Sequence, residues 1–255
     1  LKIAKDKGFT SDQESKLDIG GYDAAHKLTI LSTLCFKSNL NFNNNYIEGI
    51  SNIKIEDINF AKKLGYKIKL ISTSQIKNNK IINVVEPTLV HLSNKLANVD
   101  GVLNGIQIKS DYLESLFLEG EGAGGKATAN SIISDIVEIY HKSKNYSLGH
   151  SIDNLIDFEP DIYEDRISSF YLRIQVKDTP GVLAKITSFL NEENISIETI
   201  LQIPENINGK INEIPVIITT YETTYKLLNN AISKMENLDF VTSDIAVINI
   251  DKNIE

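Results

Sequence analysis

A single cysteine, Cys35, in 255 residues excludes an internal disulfide, so any core must hold together by side-chain burial alone. No apolar run approaches the roughly 18 residues a membrane-spanning helix needs. Residues 1–8 carry no charged leader ahead of a continuous apolar core, so no secretory signal is read there. Basic charge is also scarce. The 26 Lys and Arg against 34 Asp and Glu leave a formal net charge of -8, thinly spread, which removes the electrostatic basis for binding a phosphate backbone. Neither nucleic acid nor a membrane is expected as a partner, and a cytoplasmic setting is. The four histidines, His26, His91, His141 and His150, have no metal-ligand spacing with a third ligand nearby, so no metal site is expected. No Ser-His-Asp or Cys-His arrangement offers a nucleophile. Cys35 lies in the apolar run 28–36 and is expected to be buried and inert.

The 42% hydrophobic and 24% charged residues that remain are the balance of a soluble globular protein, and the length suffices for two domains with cores of their own. Residues 1–8 read as the last turns of a helix, with Gly8 at its left-handed cap, as if the chain started part-way through a larger domain. Helical spacing of Ala24, Ala25, Leu28, Leu31, Leu34 and Cys35 predicts a helix over 22–36, opened by Gly20 and Gly21. A second is predicted over 55–64 on Ile55, Ile58, Ala61 and Leu64, ended by Gly65.

Strands are predicted at 66–72, 80–85, 101–108 and 113–118, with a short helix over 89–96 and a long one over 128–140 carrying Ile132, Ile133, Ile136 and Val137. Strands returning every dozen residues between helices imply an α/β layer, a mixed sheet covered by helices. The segment 142–166 has no clean period and reads as a linker. Beyond it, Phe170, Leu172, Ile174 and Val176 alternate with more polar neighbours, then Val182, Leu183, Ile186, Phe189 and Leu190 recur at helical spacing. Strands near 195–201 and 214–219, a helix on Tyr225, Leu228, Ala231, Ile232 and Met235, and a last strand at 240–250 complete a βαββαβ order. That order is the ferredoxin-like arrangement.

Three motifs carry chemistry. In Asp18-Ile-Gly-Gly-Tyr-Asp23-Ala-Ala-His-Lys27, Asp23 and Lys27 are four apart and share one helix face, with Asp18 just before the turn. Two carboxylates and an ammonium at a helix start can hold a small zwitterion and move a proton at it, although an ordinary exposed ion pair has the same spacing. Gly120-Glu-Gly-Ala-Gly-Gly-Lys-Ala-Thr-Ala129 stands between a strand and a helix, where backbone N–H groups can approach a phosphate or an amide oxygen. A flexible turn is the simpler alternative. Asp178-Thr-Pro-Gly181-Val-Leu-Ala marks a strand-to-helix turn in the second domain.

The first motif, taken with Ala4, Gly8, Phe9 and Thr10, resembles the signature of the homoserine dehydrogenases. This chain has Glu14-Ser15 where the family has Asp-Pro, in a loop one residue longer. The resemblance implies reversible NAD(P)-dependent interconversion of homoserine and aspartate 4-semialdehyde. It implies Lys27 and Asp23 as catalytic residues, Asp18 and the Gly21 turn at the substrate, and either Asp12 or Glu14 in place of a family glutamate that holds the substrate amino group. The glycine segment is similar to the family's nicotinamide-facing loop, implying Gly122, Ala123, Gly124 and Gly125 as cofactor contacts. No Gly-x-Gly-x-x-Gly follows an early strand, and the resemblance puts the main dinucleotide site, a further lysine and most cation-binding residues ahead of Leu1. Glu48-Gly49-Ile50 and the run from Asp100 to Ile106 resemble family landmarks too, with a structural duty expected in the substrate-domain sheet.

The third motif resembles the ACT signature, implying Asp178, Gly181 and Val182 as effector contacts, with Asn194 reaching from a facing copy. Threonine is the effector implied, and a homodimer or homotetramer the assembly. The domains expected are 1–145 for catalysis and dimerisation, its helix 126–143 returning to a nucleotide-binding domain, then a linker 146–167 and an ACT domain 168–252. A different class stays open beside the enzyme: a regulatory and dimerisation module that binds amino acids without turnover.

Overall fold

A computed structural model describes residues 14–141, 146, 148–202 and 213–252. The expectations for residues 1–8 and for Asp12 lie outside the described residues, as does the Glu14 side chain. In chain order the elements are α1 (Glu14–Gly20), α2 (Tyr22–Phe36), β1 (Tyr46–Ile47), α3 (Ile55–Lys63), β2 (Tyr66–Lys77), β3 (Lys80–His91), β4 (Leu103–Ser110), β5 (Leu113–Glu121) and α4 (Gly125–Tyr140). Then follow β6 (Glu159–Pro160), β7 (Ile167–Lys177), α5 (Val182–Glu192), β8 (Ile197–Gln202), β9 (Glu213–Thr220), β10 (Thr223–Thr224), α6 (Tyr225–Met235) and β11 (Ala246–Asp251). No helix among the described residues is long and apolar enough to cross a membrane.

Two compact units result. The first takes the described residues up to 49 with 72–85 and 92–159, and the second takes 50–71, 86–91 and 160 onward. Helix α3 therefore groups with the C-terminal unit although it precedes the expected boundary, and β3 gives its two halves to different units. The linker expected at 146–167 contains short ordered pieces, including a bridge of Ser38 to Ile156 and the bond from Asn39 Nδ2 to Asp157 Oδ1 (2.9 Å) in the first unit.

β2 and β3 form a hairpin whose closing turn lies in the first unit at Asn78 and Asn79, both at positive φ (51° and 61°), the backbone of a two-residue turn that matches strand twist. β1 lies parallel to β3, Tyr46 opposite Val84 and Ile47 opposite Val85, and β4 pairs with β5 over 103–121. Helix α2 buries Ala25, Leu28, Thr29, Ser32 and Thr33. The apolar stripe through Leu34 and Cys35 is not its inner face, and Cys35 is exposed rather than buried. Small hydroxyl residues can line the inside because the helix satisfies them: Thr29 Oγ1 donates to the Ala25 carbonyl (2.9 Å) and Thr33 Oγ1 to that of Thr29 (3.2 Å). The helix expected over 89–96 is not formed. β3 runs on to His91, buried continuously over 84–90, and Asn94 caps only a short 3-10 turn, Lys95–Asn98. A strand buried on both faces loses the alternation that would have marked it.

The second unit contains β7-α5-β8-β9-α6-β11, with the sheet order β11-β7-β9-β8 antiparallel throughout, which is the expected ferredoxin-like arrangement. Phe170, Leu172, Ile174 and Val176 of β7 face Val182, Ile186 and Leu190 of α5 and Leu228, Ala231, Ile232 and Met235 of α6. Of the neighbours expected to be more polar, Tyr171 and Arg173 are buried as well and Gln175 is half-buried. Tyr171, Ile217, Ile248 and Ile250 form a second core with Phe60 and Ala61 of α3 and Leu89 of β3, so α3 covers the other face of this sheet. Lys234 ties the two outer helices together, reaching Glu192 at 3.1 Å and Glu193 at 2.7 Å.

Candidate functional site

The Asp18-to-Lys27 motif folds as two helices meeting at a glycine hinge. Gly21 N donates to the Asp18 carbonyl (3.1 Å), closing α1, while the Gly21 carbonyl receives Ala25 N (3.0 Å), opening α2. Gly21 adopts φ 80°, and a Cβ there would stand 3.3 Å from Val85 Cγ1. The hinge is also pressed from the side. A Cβ on Gly49 would fall 2.2 Å from the Ile19 carbonyl oxygen and 2.8 Å from Gly20 Cα, so the 48–50 landmark is a backbone-to-backbone contact that only glycine permits. Glu48 N donates to the Val85 carbonyl (2.7 Å), which fixes that approach to β3.

On α2, one turn past the hinge, Lys27 Nζ lies 2.6 Å from Asp23 Oδ2. Their side chains remain 59% and 45% exposed, so the pair contributes little to folding and stands open to a ligand. Asp23 in the first turn also suits the positive end of the helix dipole. Asp18 lies in the last turn of α1, before the hinge, exposed. The expected catalytic pair is thus brought together, with Asp18 joined to it through the hinge backbone. Phe42, which no sequence pattern singles out, stacks on His26 at 4.5 Å between ring centroids and braces the helix between them.

The glycine segment follows β5. Gly122 N donates to the Val102 carbonyl (2.8 Å), and a Cβ at Gly122 would collide with the Asn104 side chain, which gives the 100–106 landmark its place under the loop. Gly124 caps α4 at φ 128°, and Cβ atoms on Gly120, Gly124 and Gly125 would meet no heavy atom within 4 Å. The loop thus presents open backbone at a 16-residue helix N-terminus. Ala123 is half-buried between these glycines.

The third motif forms one wall of a cleft of about 280 Å³ in the second unit, lined by Val176, Lys177, Asp178, Thr179, Gly181 and Val182 from the turn, with Gln202 of β8 and Val216 of β9. Gly181 caps α5 at φ 90°. Asp178, Gly181 and Val182 are brought together as expected. Asn194, expected to reach from a facing copy, is exposed on this chain at φ 56° in the turn before β8. Gln202 and Lys177 escape sequence reading, because Gln202 is set beside the turn only by the pairing of β8 with β9. The cleft has valines for its apolar wall, an ammonium and a carboxylate at its mouth and one carboxamide, a set matched to a small amino acid.

Comparison with known proteins bears on the family. Residues 1–137 match the model of the homoserine dehydrogenase family, and residues 170–237 match that of the ACT domain. The chain is 36% identical over 261 residues to a homoserine dehydrogenase of Neisseria gonorrhoeae, covering 98% of this chain and 58% of that protein, and 33% identical to that of Pseudomonas aeruginosa, covering 95% and 57%. A crystal structure of a homoserine dehydrogenase from Thiobacillus denitrificans superposes with a TM-score of 0.86 at 34% identity, over 98% of this chain and 57% of that one. The chain thus spans a little over half the length of these relatives. With a glycine-hinged Asp-Lys pair in the part that matches the family and a ferredoxin-like arrangement following it in sequence, the chain belongs to the homoserine dehydrogenase family and carries an ACT domain toward its C-terminal end.

Proposed function

We propose that the chain provides the substrate-handling and regulatory parts of a cytoplasmic homoserine dehydrogenase, acting on L-homoserine and L-aspartate 4-semialdehyde in the biosynthesis of threonine, methionine and isoleucine. The observation that carries this is the 2.6 Å Lys27–Asp23 pair on an exposed helix turn beside the Gly21 hinge. In the reducing direction the carbonyl oxygen gains negative charge and must receive a proton. Lys27, as an ammonium, stabilises that charge and donates the proton; in the oxidising direction it takes the hydroxyl proton back. Asp23 holds Lys27 aimed at the substrate oxygen, and Asp18 receives the substrate ammonium, assisted by Asp12 or Glu14.

The open backbone of Gly124 and Gly125 at the start of α4, reached through Gly122 and Ala123, fits the amide end of a nicotinamide cofactor, NAD or NADP. When bound, that cofactor supplies the hydride chemistry. The cleft at residues 176–183 takes an amino-acid effector, threonine in this reading, in a homodimer or homotetramer. Asp178 and Lys177 address its two charges and Gln202 its side chain.

The test is a hydride-transfer assay with homoserine and each nicotinamide cofactor, run on this chain and on the full-length protein. In the full-length protein Lys27→Ala lowers turnover by about 10²- to 10⁴-fold with the fold intact, and turnover near the parent value sinks the assignment. Threonine titration by calorimetry tests the cleft. Binding without turnover in any form of the protein favours the regulatory-module reading.

A further inference from the structure

The second unit carries its amino-acid cleft and a buried polar cluster on the same two strands. Val176 of β7 and Val216 of β9 line the cleft. Three residues back along β7, Arg173 donates to Asp57 of α3 through Nε at 2.6 Å and Nη2 at 3.2 Å, and Tyr171 Oη adds a bond of 3.1 Å to Asp57 Oδ1. Ile217, next to Val216, lies in the core that Phe60 and Ala61 of α3 complete. Arg173 and Asp57 are 2% and 0% exposed. Burial lowers the pKa of Arg173, but the hydrogen bond and charge of Asp57, with smaller contributions from Tyr171 and Glu56, leave it raised overall, so the guanidinium stays charged.

A buried two-pronged pair of this kind adds little net stability over apolar residues of like volume, but it is intolerant of displacement, because any slip leaves charge out of water unpaired. Helix α3 belongs to the stretch that matches the homoserine dehydrogenase model, not to the ACT match. From α3 the chain passes through β2 into β3, where Thr88, Leu89 and Val90 stand opposite Asn249, Ile250 and Asp251 of β11. Val85, on the same strand, is the residue a Gly21 side chain would press against.

We propose that α3 and the second half of β3 are the transmitting elements of the regulatory unit. Occupancy of the cleft shifts β7 and β9, the Asp57–Arg173 pair passes that shift to α3, and β3 carries it along its own backbone toward Val85. Asp57 and Arg173 act as positioning residues. The proposal rests on the amino-acid reading of the cleft.

Hydrogen exchange on the 255-residue chain with and without saturating L-threonine, beside calorimetry on the same sample, tests it. The expected result is measurable binding, with exchange slowed about five- to tenfold in α3 and residues 86–91 as well as in 176–183, a coupling of the size usual between linked sites. In the double variant Asp57→Leu with Arg173→Met, which removes both buried charges and preserves bulk, threonine still binds while the slowing in α3 is lost. Binding with slowing confined to 176–183 in the parent chain overturns the transmission and leaves the cleft reading intact, with no variant required. Slowing in α3 that persists in the double variant overturns the role of the pair. Absence of both heat and any exchange change at the cleft overturns the amino-acid reading, and the transmission with it.

Discussion

Asp57 is the residue at which sequence periodicity and three-dimensional structure part most sharply. The pattern Ile55, Ile58, Ala61, Leu64 selects one face of α3, yet Ile55 and Ile58 are exposed while Asp57 and Phe60 are buried. A hydrophobicity pattern cannot find a buried carboxylate whose partner stands 116 residues away, because the partner alone makes burial tolerable. Asp57→Asn leaves Arg173 charged and uncompensated, and urea unfolding should register a loss of about 3–5 kcal/mol, whereas the double apolar variant loses far less. Tyr171 in the same cluster has its pKa raised, chiefly by burial and then by the charge and hydrogen bond of Asp57. A raised pKa means the folded state keeps the proton longer than the unfolded chain, so the contribution is fully present below the ordinary tyrosine value and is lost as pH rises beyond it. Unfolding free energy should therefore fall by up to about 1.4 kcal/mol per pH unit above pH about 10, and Tyr171→Phe should flatten that slope. By contrast, Asp23, Lys27 and Gly21 are legible because their spacing is local, within two turns of helix.

Among the elements, the ACT helices α5 and α6 are readable because each keeps one polar face, and α5 also has a sharp start at Gly181. Periodicity cuts β3 short because its residues 84–90 are buried without alternation. Helix α4 presents the reverse case: its period is plain in the sequence, but Ile132, Ile133, Ile136 and Val137 are all exposed and no residue of the helix is buried. Isolated helices of this length are marginal in water, where tertiary burial normally supplies most of their stability. In this chain α4 amides should exchange at least about 100-fold faster than those of β7, whose protection approaches the global limit. Comparable protection of the two elements would show that α4 is held by something other than burial.

For the whole molecule, the two compact units predict two unfolding transitions rather than one. Only the unit with the cleft should respond to threonine, by about 2.7 kcal/mol at one hundred times the dissociation constant. Scanning calorimetry with and without threonine separates this from a single cooperative melt that shifts as a whole. The division itself is not legible in the sequence, since α3 and half of β3 join a unit more than a hundred residues downstream, through contacts that no local pattern announces.

The exposure of Cys35 has a practical consequence. It is the chain's single thiol, and it stands on α2 eight residues beyond Lys27, about 12 Å along the helix axis. A maleimide dye or nitroxide attached to the unaltered chain goes to one address only, without cysteine-removal mutagenesis. Carried on the same rod as the Lys27–Asp23 pair, it becomes a spectroscopic reporter of that helix as homoserine is added.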